Sequence, residues 1–245
     1  MMRNSMTFAL HRCISAIACA MAFIASCAAA AVIPQEVAVE SNGGLVAVTR
    51  YAAGGTASRP AVLVLHGAGG LDVDRQDYAR HGLTLAENGI DAYLVRYFGS
   101  GDRSCNCWEV WAETVADVTT AILRRPEASR RVGLLGFSLG GAVAVASARD
   151  RRIAALVVFY GFIPNSQRAR IDRLPPLLVL HGDADDNVPL LFGQNLLSLA
   201  QQLGGRAELV VYPGEGHRHS TWREPAATDA INRTIAFFRA ELIGP

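Results

Sequence analysis

The chain has 245 residues, 51% of them apolar and 18% charged, with a formal net charge of +1. That suits one α/β domain with a sizeable core and excludes an intrinsically disordered chain. The near-neutral charge leaves no basic footprint for nucleic acid, and the use of arginine for all 23 basic residues is a compositional bias that no single site requires.

The N-terminus is a different material. Arg3, His11 and Arg12 flank an n-region, residues 14–24 form a short apolar stretch, and Ala28-Ala29-Ala30-Ala31 follows. This is a secretory signal pattern, too short for a comfortable membrane span. Small residues allow ordinary cleavage near Ala30 or Ala31. Ile24-Ala25-Ser26-Cys27 also resembles a lipobox, which would make Cys27 a lipidated N-terminus and the chain's one link to a membrane. An uncleaved anchor is the third route. We expect residues 1–31 to be a signal peptide and 32–245 a single exported domain, periplasmic or secreted. The sequence does not set an oligomeric state.

Residues 36–41 and 45–50 alternate as β-strands do, and Asn42-Gly43-Gly44 between them is a hairpin turn. Residues 61–65 are a continuous apolar run, typical of a strand buried on both faces. It ends in His66-Gly67-Ala68-Gly69-Gly70. A helix is predicted over 74–88, stopped by Gly89, and a strand over 90–95. A loop carrying Cys105 and Cys107 leads to a helix over 108–125. Only these two of the five cysteines fall in the exported domain, so no disulfide framework is expected. They could pair with each other, though a C-x-C ring is tight.

Residues 131–135 then read as a buried strand, and 142–148 as a small, apolar helix. Between them stands Gly136-Phe137-Ser138-Leu139-Gly140-Gly141. Strand, G-x-S-x-G, helix is the context of a nucleophile elbow. The glycines leave no Cβ to clash where the chain doubles back. Ser138 Oγ then stands above the sheet, and the Leu139 N–H at the helix start can face a developing oxyanion. Strands follow at 153–159, 177–180 and 207–212, and helices at 189–203 and 228–242. This alternation predicts a mostly parallel, doubly wound sheet with helices on both faces.

A serine hydroxyl needs a base within reach and a group that orients the base. In such a fold the acid and the histidine follow the serine, on loops at strand ends. The loop after residues 177–180 offers Asp183, Asp185 and Asp186, and position alone does not choose among them. Of six histidines, His11 lies in the signal and His81 reads as an exposed helix residue. His66 and His181 follow strands directly and suit structural roles. His217 and His219 occupy the loop after the last strand, and the glycines beside His217 favour it as the base. No zinc-type spacing appears among the histidines and aspartates, so no metal or cofactor is expected.

Four segments in this order resemble the dienelactone hydrolase family of α/β-hydrolases: His66-Gly67-Ala68-Gly69-Gly70, the Ser138 elbow, His181-Gly182-x-x-Asp185-x-x-Val188-Pro189, and Tyr212-Pro213-x-x-Gly216-His217. The resemblance implies an α/β-hydrolase fold and selects Asp185 as the acid, with Asp186 the fallback. It also implies a second oxyanion donor at the Ala68 N–H. Dienelactone hydrolases proper carry cysteine where Ser138 stands and a glutamate where Gly67 stands, so dienelactone itself is not the implied substrate. Prolyl-oligopeptidase-type domains share two of the patterns but normally carry a large propeller, for which this chain has no room.

The expected function is an exported serine hydrolase that cleaves small esters or lactones through Ser138, His217 and Asp185, with Ala68 and Leu139 binding the oxyanion. A non-catalytic exported binding protein, and a small peptidase or acyltransferase, are the competing readings. The segment from 160 to 176 is too short for a cap domain. The expected cleft is therefore shallow, walled by Tyr97, Phe98, Tyr160 and Trp222, with Trp108 on a helix start able to contribute. Arg103, Arg218 and Arg223 are candidates to pair with a substrate carboxylate, and Arg103 is the one assigned to the site.

Overall fold

A computed structural model describes residues 31–55, 58–98 and 107–244. Residues 1–30 of the expected signal, with Cys27, and Arg103 and Cys105 lie outside the described residues.

Eight strands form one sheet: β1 (Gln35–Ser41), β2 (Gly44–Tyr51), β3 (Arg59–Leu65), β4 (Asp91–Val95), β5 (Ala128–Phe137), β6 (Ile153–Phe159), β7 (Leu177–Gly182) and β8 (Ala207–Tyr212). Their spatial order is β1-β2-β4-β3-β5-β6-β7-β8. The first hairpin is antiparallel and joins β4 antiparallel; every pairing from β4 to β8 is parallel. Among the described residues the α-helices are α1 (Arg75–Glu87), α2 (Trp108–Leu123), α3 (Leu139–Ser147), α4 (Leu191–Gln202) and α5 (Ala226–Phe238), followed by a π-helical turn Arg239–Ile243. This is the doubly wound α/β architecture that the alternation of strands and helices predicts.

The core lies on both faces of the sheet. Along β3, Leu63 and Leu65 pack on one side with residues of α2, α3 and α4, while Val62 and Val64 pack on the other with α1 and α5. A period-2 strand has to be apolar wherever both its faces are covered, and β3 is so from Ala61 to Leu65. Between Tyr160 and Pro176 the chain makes only a loop and one 3₁₀ turn, Arg168–Arg170, so no cap domain is inserted there, and none covers the C-terminal edge of the sheet among the described residues. Among the described residues no helix is long and apolar enough to cross a membrane.

Charge is buried at one place away from that edge. Asp91, at the start of β4, accepts from Arg50 at 2.6 Å, from Arg59 at 2.8 Å and from the Ala53 amide at 2.9 Å. The carboxylate thus pins β2, the loop after it and β3 together, with both its oxygens satisfied.

Candidate active site

β5 runs into a sharp turn at Ser138, whose φ of 53° lies in the left-handed region that a side chain rarely adopts. The turn is possible because its flanks are glycine. A Cβ on Gly136 would stand 2.3 Å from the Gly140 carbonyl oxygen, and one on Gly140 would stand 2.1 Å from that of Leu65. Helix α3 therefore packs its first turn directly on the ends of β3 and β5. The Ser138 N–H donates to the Phe159 carbonyl at 3.0 Å, which fixes the turn to β6. Leu139 is the first residue of α3, where a backbone N–H has no intrahelical acceptor.

His217 comes from the loop after β8. Its Nε2 lies 2.9 Å from Ser138 Oγ, and its Nδ1 lies 2.8 and 3.0 Å from the two oxygens of Asp185. With Nδ1–H donating to the carboxylate, Nε2 presents its lone pair to the serine hydroxyl. Asp185 is fully enclosed, and its Oδ1 also accepts from the Asn187 and Val188 amides at 2.9 and 2.8 Å. The other two aspartates sit elsewhere: Asp183 accepts from the Gly214 amide, and Asp186 is exposed. The geometry brings together Ser138, His217 and Asp185 out of the candidates the sequence offered.

A cavity of about 230 Å³ opens over Ser138, bordered by Gly67, Ala68, Tyr160, Asn187, His217 and Arg218. Ala68 borders this cavity with Ser138, and Leu139 directly follows the serine in the chain. The Gly67 amide donates to the Tyr78 hydroxyl at 3.0 Å, so a residue of α1 holds the loop that carries Ala68. Burial pushes the Tyr78 phenol up to about 12, which keeps it a neutral hydroxyl. Tyr78 reads in the sequence as an ordinary apolar-stripe residue, and nothing in the spacing marks this role.

The aromatic walls need correction. Tyr160 does border the cavity, in a left-handed conformation with φ of 39° and its ring 4.8 Å from that of His217. Tyr97, Phe98 and Trp222 do not. Tyr97 is 4% exposed, stacks on His66 and donates its hydroxyl to the His66 carbonyl at 2.7 Å. Phe98 is 6% exposed and packs beside His66 and Trp111. Trp222 is 6% exposed and donates its indole N–H to the Gly216 carbonyl at 2.8 Å, bracing the His217 loop from beneath. Each packs within or beneath a loop, where its ring buries more apolar area than the cavity rim offers. A neighbouring groove of about 500 Å³ shares Asn187 with the cavity and carries Trp108, Phe162, Ile163 and Phe192. Of these, only Trp108 was foreseen.

The two candidate arginines among the described residues are already partnered. Arg218 forms an ion pair with Asp74, and Arg223 pairs with Glu215 at 3.2 Å. Cys107, at the foot of α2, is disulfide-bonded.

The histidines divide as follows. His66, directly after β3, and His181, near the end of β7, are buried, and burial lowers both, His66 to about 4. His81 is not an exposed helix residue. It is buried edge-on to Phe137 and Phe159, and burial pushes it down to about 3. It had the signal: Tyr78, His81, Gly82 and Leu85 share the buried stripe of α1. Beside it lies His219, 1% exposed, whose amide donates to the Tyr160 hydroxyl at 3.1 Å.

A doubly wound sheet with a strand–serine–helix elbow, an Asp–His pair on the loops after β7 and β8, and an open C-terminal edge is the α/β-hydrolase architecture. Comparison with known proteins narrows the class. The model of the dienelactone hydrolase family matches residues 48–242, and the chain belongs to that family. It is 28% identical over 220 residues to a Bradyrhizobium protein described as a "probable 2-oxo-3-(5-oxofuran-2-ylidene)propanoate lactonase", covering 77% of this chain and 87% of that one. It is 30% identical over 228 residues to an uncharacterised protein of Mycobacterium tuberculosis, covering 77% and 75%. In fold it is similar to the crystal structure of a dienelactone hydrolase-like promiscuous phosphotriesterase from metagenomic libraries, with a TM-score of 0.74, 18% identity, and coverage of 86% and 99%.

Proposed function

We propose that the protein is an exported serine hydrolase that cleaves small carboxylic esters or lactones by acyl transfer. The observation that carries this reading is the continuous hydrogen-bonded chain from Ser138 Oγ through His217 to Asp185, ending in a small open cavity. His217 Nε2 takes the hydroxyl proton as Ser138 attacks the carbonyl carbon. Asp185 holds the ring with Nδ1–H facing it and stabilises the imidazolium. The oxyanion forms between the Ala68 and Leu139 amides, each worth about 3–4 kcal/mol of barrier when well aimed. His217 then returns the proton to the leaving alkoxide, and a water activated by the same nitrogen hydrolyses the acyl-enzyme. Serine rather than cysteine at the elbow suits this route, since the hydroxyl depends on the adjacent base and no separate thiol control is needed. The description of the Bradyrhizobium relative as a lactonase supports a small cyclic or open ester as substrate.

Export rests on residues 1–31, with cleavage after Ala30 or Ala31, or lipidation at Cys27. Mass spectrometry of the exported protein reads the new N-terminus directly. For the chemistry, a fluorophosphonate probe is the decisive test. Wild type should label stoichiometrically and Ser138→Ala should not. A folded wild type that fails to label would instead favour a non-catalytic binding protein on this fold.

A further inference from the structure

Asp77, His81 and His219 meet at one point behind the His217 loop, 138 residues apart in sequence between the two histidines. Asp77 and His81 are one turn apart on α1 and so project from the same side of the helix. His219 arrives from the loop after β8, two residues past His217. Its Nδ1 lies 3.0 Å from both Asp77 oxygens and 3.4 Å from His81 Nε2. The three ligand atoms all fall within 4.8 Å of one another.

Hydrogen-bond bookkeeping does not close here without an extra positive centre. His219 Nε2 lies 3.1 Å from the Ala227 carbonyl, an acceptor, so Nε2 carries the hydrogen. In the neutral ring Nδ1 is then a lone pair, aimed at two carboxylate oxygens that are also acceptors. The single N–H that His81 Nε2 can supply reaches one of these groups and leaves the others facing each other in a buried site. A cation among the three atoms removes the conflict. Tetrahedral ligands about 2.0–2.1 Å from a zinc-type ion stand about 3.3 Å apart, close to the 3.0 and 3.4 Å that separate His219 Nδ1 from the Asp77 oxygens and from His81 Nε2. The Ala227 carbonyl on the far nitrogen is the partner that holds a metal-ligating histidine in its tautomer.

We propose that Asp77, His81 and His219 form a binding site for one divalent transition-metal ion of the zinc type. Two imidazoles and one carboxylate favour zinc, cobalt or nickel over calcium or magnesium. Asp77, whose side chain is 9% exposed, is the side by which the ion enters. The ion takes no part in acyl transfer. It cross-links α1 to the loop that carries the base, and it stabilises the fold by binding the native state alone. The competing occupant is a proton that makes His219 an imidazolium paired with Asp77.

The test is uptake of Co²⁺ by the chelator-stripped, full-length protein, followed by visible absorption and melting temperature. We expect one equivalent bound, with the d–d bands of a low-coordinate cobalt site, displacement by Zn²⁺, and a melting temperature several degrees higher. His219→Phe should abolish uptake, and Asp77→Asn, which preserves shape, should weaken it at least tenfold if the aromatic variant fails to fold. Ser138→Ala and His217→Ala should bind as wild type does, which separates this site from the one proposed for catalysis. Absence of stoichiometric uptake by wild type overturns the proposal in favour of the proton. Uptake that survives Asp77→Asn unchanged, or is lost in His217→Ala, overturns it in favour of a different ligand set.

Discussion

Gly182 stands so close to Glu215 that a Cβ built on it would meet the Glu215 carbonyl oxygen at 2.0 Å. The same carbonyl accepts from the Ala184 amide at 3.0 Å. Through this crossing, the loop that carries Asp185 rests directly on the loop that carries His217. Gly182→Ala should therefore push the two loops apart. We expect a stability loss of about 3 kcal/mol and a fall in kcat out of proportion to the unfolded fraction. Denaturant unfolding and kcat measured on the same preparation check both.

The three aspartates of that loop give a sharper test of the acid. Asp185→Asn removes the charge that the imidazolium needs and lets the amide fix the wrong tautomer, so kcat should fall about 10⁴-fold. Asp186→Asn, at an exposed carboxylate, should leave kcat within twofold of wild type. Steady-state kinetics on p-nitrophenyl acetate distinguish the two, and the opposite ranking would move the acid to Asp186. A double variant Ser138→Ala with Asp185→Asn should lose little beyond Ser138→Ala, because the three groups act as a unit.

Much of the fold was legible because the strands of a covered parallel sheet are unbroken apolar runs. The predicted strands over 153–159 and 207–212 coincide with β6 and β8, and most other ends differ by a few residues. The elbow was legible for a local reason: its glycines are demanded by contacts within a few residues and with the neighbouring strand. The walls of the cleft were not. Whether Tyr97 or Trp222 faces solvent depends on His66 and Phe159, each brought there by tertiary packing that spacing does not encode. Phe162 and Phe192 lie in a loop and on a helix with no periodic signal to set them apart. His81 shows a different failure, in which residue type outweighed position. Its place on the buried stripe of α1 was visible, and its polarity drew the wrong conclusion.

Asp91 supplies a prediction on stability away from the site. Its carboxylate faces Arg50 and Arg59, and its removal leaves two guanidinium groups with little solvent. Breaking such a buried arrangement costs about 3–5 kcal/mol. Asp91→Ala should lower the denaturation midpoint accordingly, with an unchanged fluorophosphonate labelling rate in the fraction that stays folded.

Stability should also fall in mild acid, and His66 is one cause. Burial holds it at about 4 in the native state, while an exposed histidine takes its proton near 6.5. Between these values the unfolded chain binds more protons than the native one, so stability decreases as pH falls from about 6.5 to 4, by up to about 1.4 kcal/mol per pH unit from this group. His66→Gln, which cannot titrate, should show a shallower decline over that window. Melting temperatures of both proteins between pH 7 and 4.5, compared at fixed salt, provide the measurement; parallel curves would remove His66 from the account.

The last expectation concerns substrate size. The cavity at Ser138 holds about 230 Å³, and the adjoining groove past Asn187 about 500 Å³ with an aromatic and aliphatic lining. Among the described residues no cap closes either one, so a long acyl chain gains little enclosure there and must leave most of its length in water. An acyl group of about four to six carbons can fill the cavity and reach Phe162 and Phe192. Each methylene buried there is worth about 0.8 kcal/mol at most, so kcat/KM should rise by up to about fourfold per methylene from acetate towards hexanoate and then fall towards palmitate. Phe162→Ala and Phe192→Ala should flatten the rise while leaving the acetate rate close to wild type. Because Arg218 and Arg223 are already paired with Asp74 and Glu215, a carboxylate on the substrate should add little through them. A p-nitrophenyl ester series, run beside one lactone with and without a carboxylate, tests all three statements. A steady climb to palmitate would show that the two hollows do not set chain length. A strong preference for the carboxylate that disappears in Arg218→Ala would show that the Asp74 pair opens to receive it.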